Sequence, residues 1–171
     1  RILFGKGVIE NLRAQIPEDA RVLVTYGGGS VKKTGVLDQV LSALEGLDVR
    51  EFGGIEPNPS YETLMNAVKI ARDEKITFLL AVGGGSVLDG TKFIAAAARY
   101  NADSDPWEIL ETYGSKVASA IPMGSVLTLP ATGSESNKGA VISRKTTGDK
   151  RAFMSSHVQP VFAILDPVYT Y

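Results

Sequence analysis

The sequence predicts an α/β protein: a doubly wound parallel sheet with a β-hairpin late in the chain. Three observations predict it. Short apolar runs alternate with stretches of helical periodicity between Arg21 and Tyr100. Two of those runs, LVTYGGGSVKK and LLAVGGGSVLDG, end in the same glycine cluster, at Gly27–Gly29 and Gly83–Gly85. Further on, VISRKTTGDKRAFM alternates polar and apolar residues about Thr147-Gly148, the pattern of two strands joined by a turn.

Each element has its own signal. Val22–Thr25 reads as a buried strand entering a glycine turn. Thr34 suits an N-cap, with Leu37, Val40, Leu41 and Leu44 at helical spacing behind it and Gly46 placed to stop the helix. DVREFGG reads as a second strand. EPNPS is a loop, because Pro57 and Pro59 resist helix. Ser60 can cap YETLMNAVKIARDE, whose Leu64, Val68 and Ala71 share a face. ITFLLAV is the unbroken apolar run of a central parallel strand covered on both faces, and SVLDGTKFIAAAARY is the helix after it. This β-α-β-α-β-α order is that of a Rossmann-like sheet. DPWEILETY reads as helix, SVLTLP as a strand, and PVFAILDP as one more buried strand after the hairpin. The flanks of the two glycine clusters match only as strand, turn and helix, so they mark no internal repeat.

Composition narrows the class of function. The 171 residues suit one domain, 1–171. Lys and Arg total 18 against 19 Asp and Glu, a net charge of −1. That leaves no basic excess for nucleic acid or an anionic membrane surface. There is no cysteine, hence no disulfide or thiolate chemistry. The apolar runs are too short to span a bilayer, and no signal peptide is visible. One histidine, His157, with no acidic cluster beside it makes a poor transition-metal site.

The glycine clusters carry the chemistry. Strand ends of a parallel sheet are where ligands bind. A helix N-terminus offers unpaired amides and partial positive charge, and glycine lets a phosphate approach them. Gly84, Gly85 and Ser86 fit a diphosphate, Ser86 adding a hydroxyl. One glycine would suffice merely to turn the chain. The spacing matches neither G-x-G-x-x-G nor the P-loop pattern. Asp89 reads as a first-turn carboxylate favoured by the helix dipole, or as a hydrogen-bond acceptor for a ribose or the nicotinamide side. No acid occurs from Arg21 to Val36. Gly27, Gly28, Gly29, Ser30, Lys32 and Lys33 offer space, a hydroxyl and positive charge, which suits a ribose 2′-phosphate; a solvated lysine pair is the plainer alternative. The loop LTLPATGSESNKG, rich in Thr, Ser and Asn, can cap a helix or bind a ligand.

GGIEPNPSYETL, AVGGGSVLDGTKFIA and LTLPATGSESN together resemble the iron-type, or group III, alcohol dehydrogenases. YGGGSVKKTGVLDQV and GAVISRKTTGDK are similar to the bacterial NADPH-dependent aldehyde reductase and butanol dehydrogenase branch. The resemblance runs along the whole chain. It implies NADP(H) as cofactor, with the pyrophosphate held by Gly84, Gly85 and Ser86 and with Asp89 beneath it. It places Asn58 near the adenosine or pyrophosphate cleft. Thr128, Thr132 and Asn137 line the pyrophosphate and nicotinamide-ribose side, Lys150 contacts the nicotinamide ribose, and Tyr169 flanks the adenine end. Gly27, Gly28, Ser30 and Lys33 form the 2′-phosphate pocket.

The resemblance also implies an all-helical second domain with a divalent metal, Fe or Zn, on an Asp and three His. The sequence ends before that region, and no catalytic residue is assigned beyond a supporting role for Asp89. The expectation is a chain that binds NADP(H) weakly and has little or no activity, from a cytoplasmic, homodimeric enzyme acting on small aldehydes and alcohols. RILFGKGVI has the look of the exposed edge strand such a dimer uses. Lys138 and Met154 depart from the small residue and the histidine of similar sequences. A glycerol dehydrogenase or dehydroquinate synthase-like enzyme, and a non-catalytic nucleotide-binding module, are the alternatives.

Overall fold

The computed structural model describes residues 2–4, 8–127 and 138–165. The elements run β1 (Ile2–Phe4), a 3-10 helix (Val8–Gln15), β2 (Arg21–Tyr26), α1 (Ser30–Lys33), α2 (Val36–Ala43), β3 (Asp48–Phe52), α3 (Tyr61–Asp73), β4 (Phe78–Gly83), α4 (Gly85–Ala98), α5 (Glu108–Glu111) and β5 (Met123–Leu127). Then follow β6 (Gly139–Arg144), β7 (Asp149–Met154), a short 3-10 helix (Ser156–Val158) and β8 (Phe162–Leu165). A six-stranded sheet has the order β1-β8-β5-β4-β2-β3, and all its pairs are parallel. β6 and β7 form the expected hairpin, with Ser143 opposite Lys150.

Side-chain alternation along β2 explains the continuous apolar run. Val22 and Val24 face the 3-10 helix and α2, where Ile9, Leu12, Val36 and Val40 close one core. Leu23 faces α3 and α4, where Leu64, Val68, Phe93 and Ile94 close the other. A strand buried on both faces has no polar face to show. Both layers therefore cover the sheet, as the doubly wound reading requires.

Topology fixes where a ligand belongs. From β2 the chain crosses by α1 and α2 on one face to β3; from β4 it crosses by α4 on the other face to β5. β2 and β4 are neighbours with Thr25 opposite Ala81. Their following loops diverge to opposite faces, which opens a crevice at their carboxyl ends. Those loops are the two glycine clusters.

Two local expectations are corrected. Thr34 closes α1 rather than opening a helix; the residue before α2 is Gly35, at φ +83°. Glycine takes that left-handed conformation without a Cβ penalty, so a sharp corner divides what the periodicity merged. DPWEILETY forms only α5, a single turn, with turns on either side. Ser60 caps α3 as expected, its hydroxyl accepting the Thr63 amide.

Candidate functional site

The segment from Gly53 to Ser60 organises the crevice. The amides of Gly54 and Ile55 donate to the carbonyls of Gly27 and Tyr26 at 2.9 and 3.2 Å. The Ser86 hydroxyl, in the first turn of α4, donates to the Pro57 carbonyl. The loop is thus sewn to the first glycine cluster at one end and to the second at the other.

Beside it lies a hollow of about 210 Å³, lined by Pro57, Asn58 and Pro59, by Ser86 and Asp89 of α4, and by Val141, Ser143 and Lys150 of the hairpin. Three segments far apart in sequence converge here. The structure therefore brings together Asn58, Ser86, Asp89 and Lys150, with Gly84 and Gly85 at the start of the same helix. Among the described residues no side chain caps α4 at Gly84. A larger hollow of about 660 Å³, beside Glu10 and Asp38, sits between the 3-10 helix and α2. It has no glycine loop and no strand end, so the smaller one is the candidate site.

The glycines of the first cluster differ in what they need. A Cβ on Gly27 would lie 3.2 Å from the Ile55 carbonyl oxygen, so packing alone favours glycine there. Gly29 has φ +151°, a backbone reason. Gly28 has neither: among the described residues nothing lies within 4 Å of its would-be Cβ, and its φ is not positive. Neither packing nor backbone conformation among the described residues asks for glycine at 28. Ser30, Lys32 and Lys33 stand beside it, all exposed. The Lys32 ammonium lies 5.3 Å above the Tyr26 ring, at the end of β2.

Asp89 requires a correction. It lies beyond the first turn of α4, which contains no acid. Its carboxylate instead accepts the Val141 amide at 3.2 Å and so holds β6. One turn on, the fully buried Lys92 donates to the Gly139 carbonyl at 2.9 Å. Both α4 side chains dock the hairpin strand. The sequence reading passed over Lys92, Val141 and Ser143. The only signal for Ser143 was strand alternation, which sets it opposite Lys150.

Thr128, Thr132, Asn137 and Tyr169 lie outside the described residues. Lys138 and Met154 are exposed. His157 is exposed, and among the described residues no group of three His, Cys, Asp or Glu could hold a metal ion. The metal that the resemblance implies does not fit them.

A parallel sheet with two glycine loops at its switch point, and a hollow lined by a hydroxyl, an amide, an acid and a lysine, defines a Rossmann-like, doubly wound α/β protein. Comparison with known proteins makes this specific. The profile described as iron-containing alcohol dehydrogenase matches residues 1–167, and the chain belongs to that family. It is 80% identical over 171 residues to the NADPH-dependent aldehyde reductase YqhD of Escherichia coli (strain K12), covering 100% of this chain and 44% of the relative. A crystal structure of E. coli K-12 YqhD superposes with a TM-score of 0.99, covering 100% of this chain and 44% of that one. The NADP-dependent alcohol dehydrogenase 3 of Entamoeba histolytica is 48% identical, over 99% of this chain and 45% of its own length. The NADH-dependent butanol dehydrogenase A of Thermotoga maritima gives a TM-score of 0.92 at 39% identity, over 98% of this chain and 42% of that one. The chain thus spans less than half the length of these relatives.

Proposed function

We propose that this chain is the NADP(H)-binding part, one domain over 1–171, of an oxidoreductase that interconverts aldehydes and primary alcohols. When bound, the nicotinamide supplies the hydride. The chain's own residues bind and orient it. The start of α4 at Gly84, Gly85 and Ser86 takes the pyrophosphate, Asn58 and Lys150 flank it, and Gly28, Ser30 and Lys33 accept the 2′-phosphate. Thr128, Thr132, Asn137 and Tyr169 complete the proposed set. The metal implied by the family name, the aldehyde substrate, a homodimer through the edge strand β1 and a cytoplasmic location belong to the same proposal for the whole protein. One observation supports the dimer: β1 pairs on one side only among the described strands.

The observation that carries the reading is Gly28, a glycine with no internal reason beside a lysine pair. NADP preference is also what the YqhD and Entamoeba names state of those proteins. Titration of NADPH and NADH into the chain tests it. Gly28→Asp sets a carboxylate against the 2′-phosphate and should weaken NADPH about tenfold or more while sparing NADH. Gly85→Val should weaken both alike. Equal losses of the two cofactors in Gly28→Asp would overturn the assignment.

A further inference from the structure

In the stretch EPNPSYE, Glu56 and Glu62 stand on either side of the Ser60 cap, and both reach to the same hairpin residue. The Glu62 carboxylate accepts the backbone amides of Lys145 and Thr146 at 2.9 and 3.1 Å, one on each oxygen. Glu56 accepts the Lys145 ammonium at 2.8 Å. Lys145 is therefore held by its backbone and its side chain, by two acids. The Ser143 amide adds a bond to the Pro59 carbonyl at 2.9 Å.

Each acid has a simpler use. Glu62 lies in the first turn of α3, where a carboxylate is favoured anyway. Glu56 also accepts the hydroxyls of Ser60 and Thr63 at 2.9 and 2.8 Å and so supports the cap. Neither use explains why both converge on Lys145.

The convergence lies beside the hollow, which Pro57, Asn58 and Pro59 line from the loop and Val141, Ser143 and Lys150 line from the hairpin. Among the described residues the hairpin pairs with no strand of the main sheet, so its place depends on what it packs and bonds against. Its buried side chains Ala140, Ile142 and Phe153 pin the middle of its inner face, but Lys145–Gly148 at the turn are all exposed. Polar bonds hold that end together with the neighbouring Arg144 side chain, which lies against the Tyr61 and Trp107 rings, and Ser143, the partner of Lys150, is two residues from the clamp.

We propose that Glu56 and Glu62 are positioning residues for the cofactor hollow: by gripping Lys145 they hold the hairpin turn against the Pro57–Pro59 loop and so place Lys150 in the hollow with Asn58 and Ser86. This rests on the NADP(H) reading above. The test is a set of mutant cycles on the chain, read by NADPH titration, thermal midpoint and amide exchange. Glu62→Gln and Lys145→Met should each weaken NADPH about fivefold while shifting the midpoint little. Glu62→Gln should also speed exchange at the Lys145 and Thr146 amides. In a Lys150→Met background neither change should weaken NADPH further, because the residue being placed is gone. Faster exchange with unchanged affinity, or losses that add in full to that of Lys150→Met, would overturn the clamp alone. Failure of the unmodified chain to bind NADPH would overturn the cofactor reading and this proposal together.

Discussion

The hydroxyls of Thr25 in β2 and Thr91 in α4 meet at 2.6 Å, and both residues are fully buried. Thr91 also bonds the Val87 carbonyl at 2.7 Å, which leaves the Thr25 proton for Thr91. This is a polar rivet between sheet and helix directly beneath the glycine clusters. Thr91→Val removes one partner and leaves the other hydroxyl buried with only a long contact, at 3.4 Å, to the Leu80 carbonyl. Its cost should be about 1–2 kcal/mol in urea unfolding, the penalty of an orphaned hydroxyl. The double change Thr25→Val with Thr91→Val should cost less than the sum of the singles. Strict additivity would show that the rivet is not a unit.

Glycines separate into those the fold needs and those it does not. A Cβ on Gly124 would run into the ring of Phe162, which is buried and stacked on Phe78 at 5.9 Å. Gly124→Ala should therefore destabilise by about 2–3 kcal/mol, as overpacking does. Gly28→Ala meets nothing and should stay within about 0.5 kcal/mol of the parent. Chemical denaturation of the two variants checks the contrast. A large loss at Gly28 would mean that the fold does use that glycine.

Much of this was legible in the sequence, for reasons that individual residues show. FLLAV was legible as a strand covered on both sides, because it is short, lacks a polar face and ends in glycine. Ser60 was legible because capping is local. The split between α1 and α2 was not, because Leu37, Val40 and Leu44 keep helical spacing past a corner that Gly35 alone creates. The clamp was not legible either. Glu62 and Lys145 are 83 residues apart, and nothing in either segment names the other. The same holds for Asp89, whose partner is a backbone amide 52 residues on, invisible to any residue pattern.

Acid should loosen the Pro57–Pro59 loop. Burial opposes ionisation of Glu56, but bonds from Lys145, its own amide, Thr63 and Ser60 outweigh it and bring the carboxyl down from 4.5 to about 2. The folded value lies below the unfolded one. The associated stability is thus complete above pH 4.5 and is lost as pH falls toward about 2. Unfolding free energies measured across that window should drop in the parent. Glu56→Gln, having no carboxyl to protonate, should start lower and fall less steeply. Parallel profiles for the two proteins would place the acid sensitivity elsewhere.

The inner end of the hairpin turn hangs on Arg144. Its guanidinium lies 4.9 Å from the Tyr61 ring and 5.2 Å from the Trp107 ring. The Asp105 carboxylate stands 3.9 Å away and accepts the Tyr61 hydroxyl at 2.6 Å. Burial and that carboxylate push the Tyr61 phenol up, which keeps it a donor. A planar cation can lie against two rings at once; an ammonium is a point charge with a strong hydration shell and cannot. Arg144→Ala should cost about 1–3 kcal/mol through lost stacking and lost packing of the stem. Arg144→Lys should recover less than half of that, despite keeping the charge. Trp107, the single tryptophan, reports the change directly: its emission should shift in both variants as the ring loses its cover. If Arg144→Lys matched the parent in both stability and emission, charge rather than planarity would be what the two rings hold.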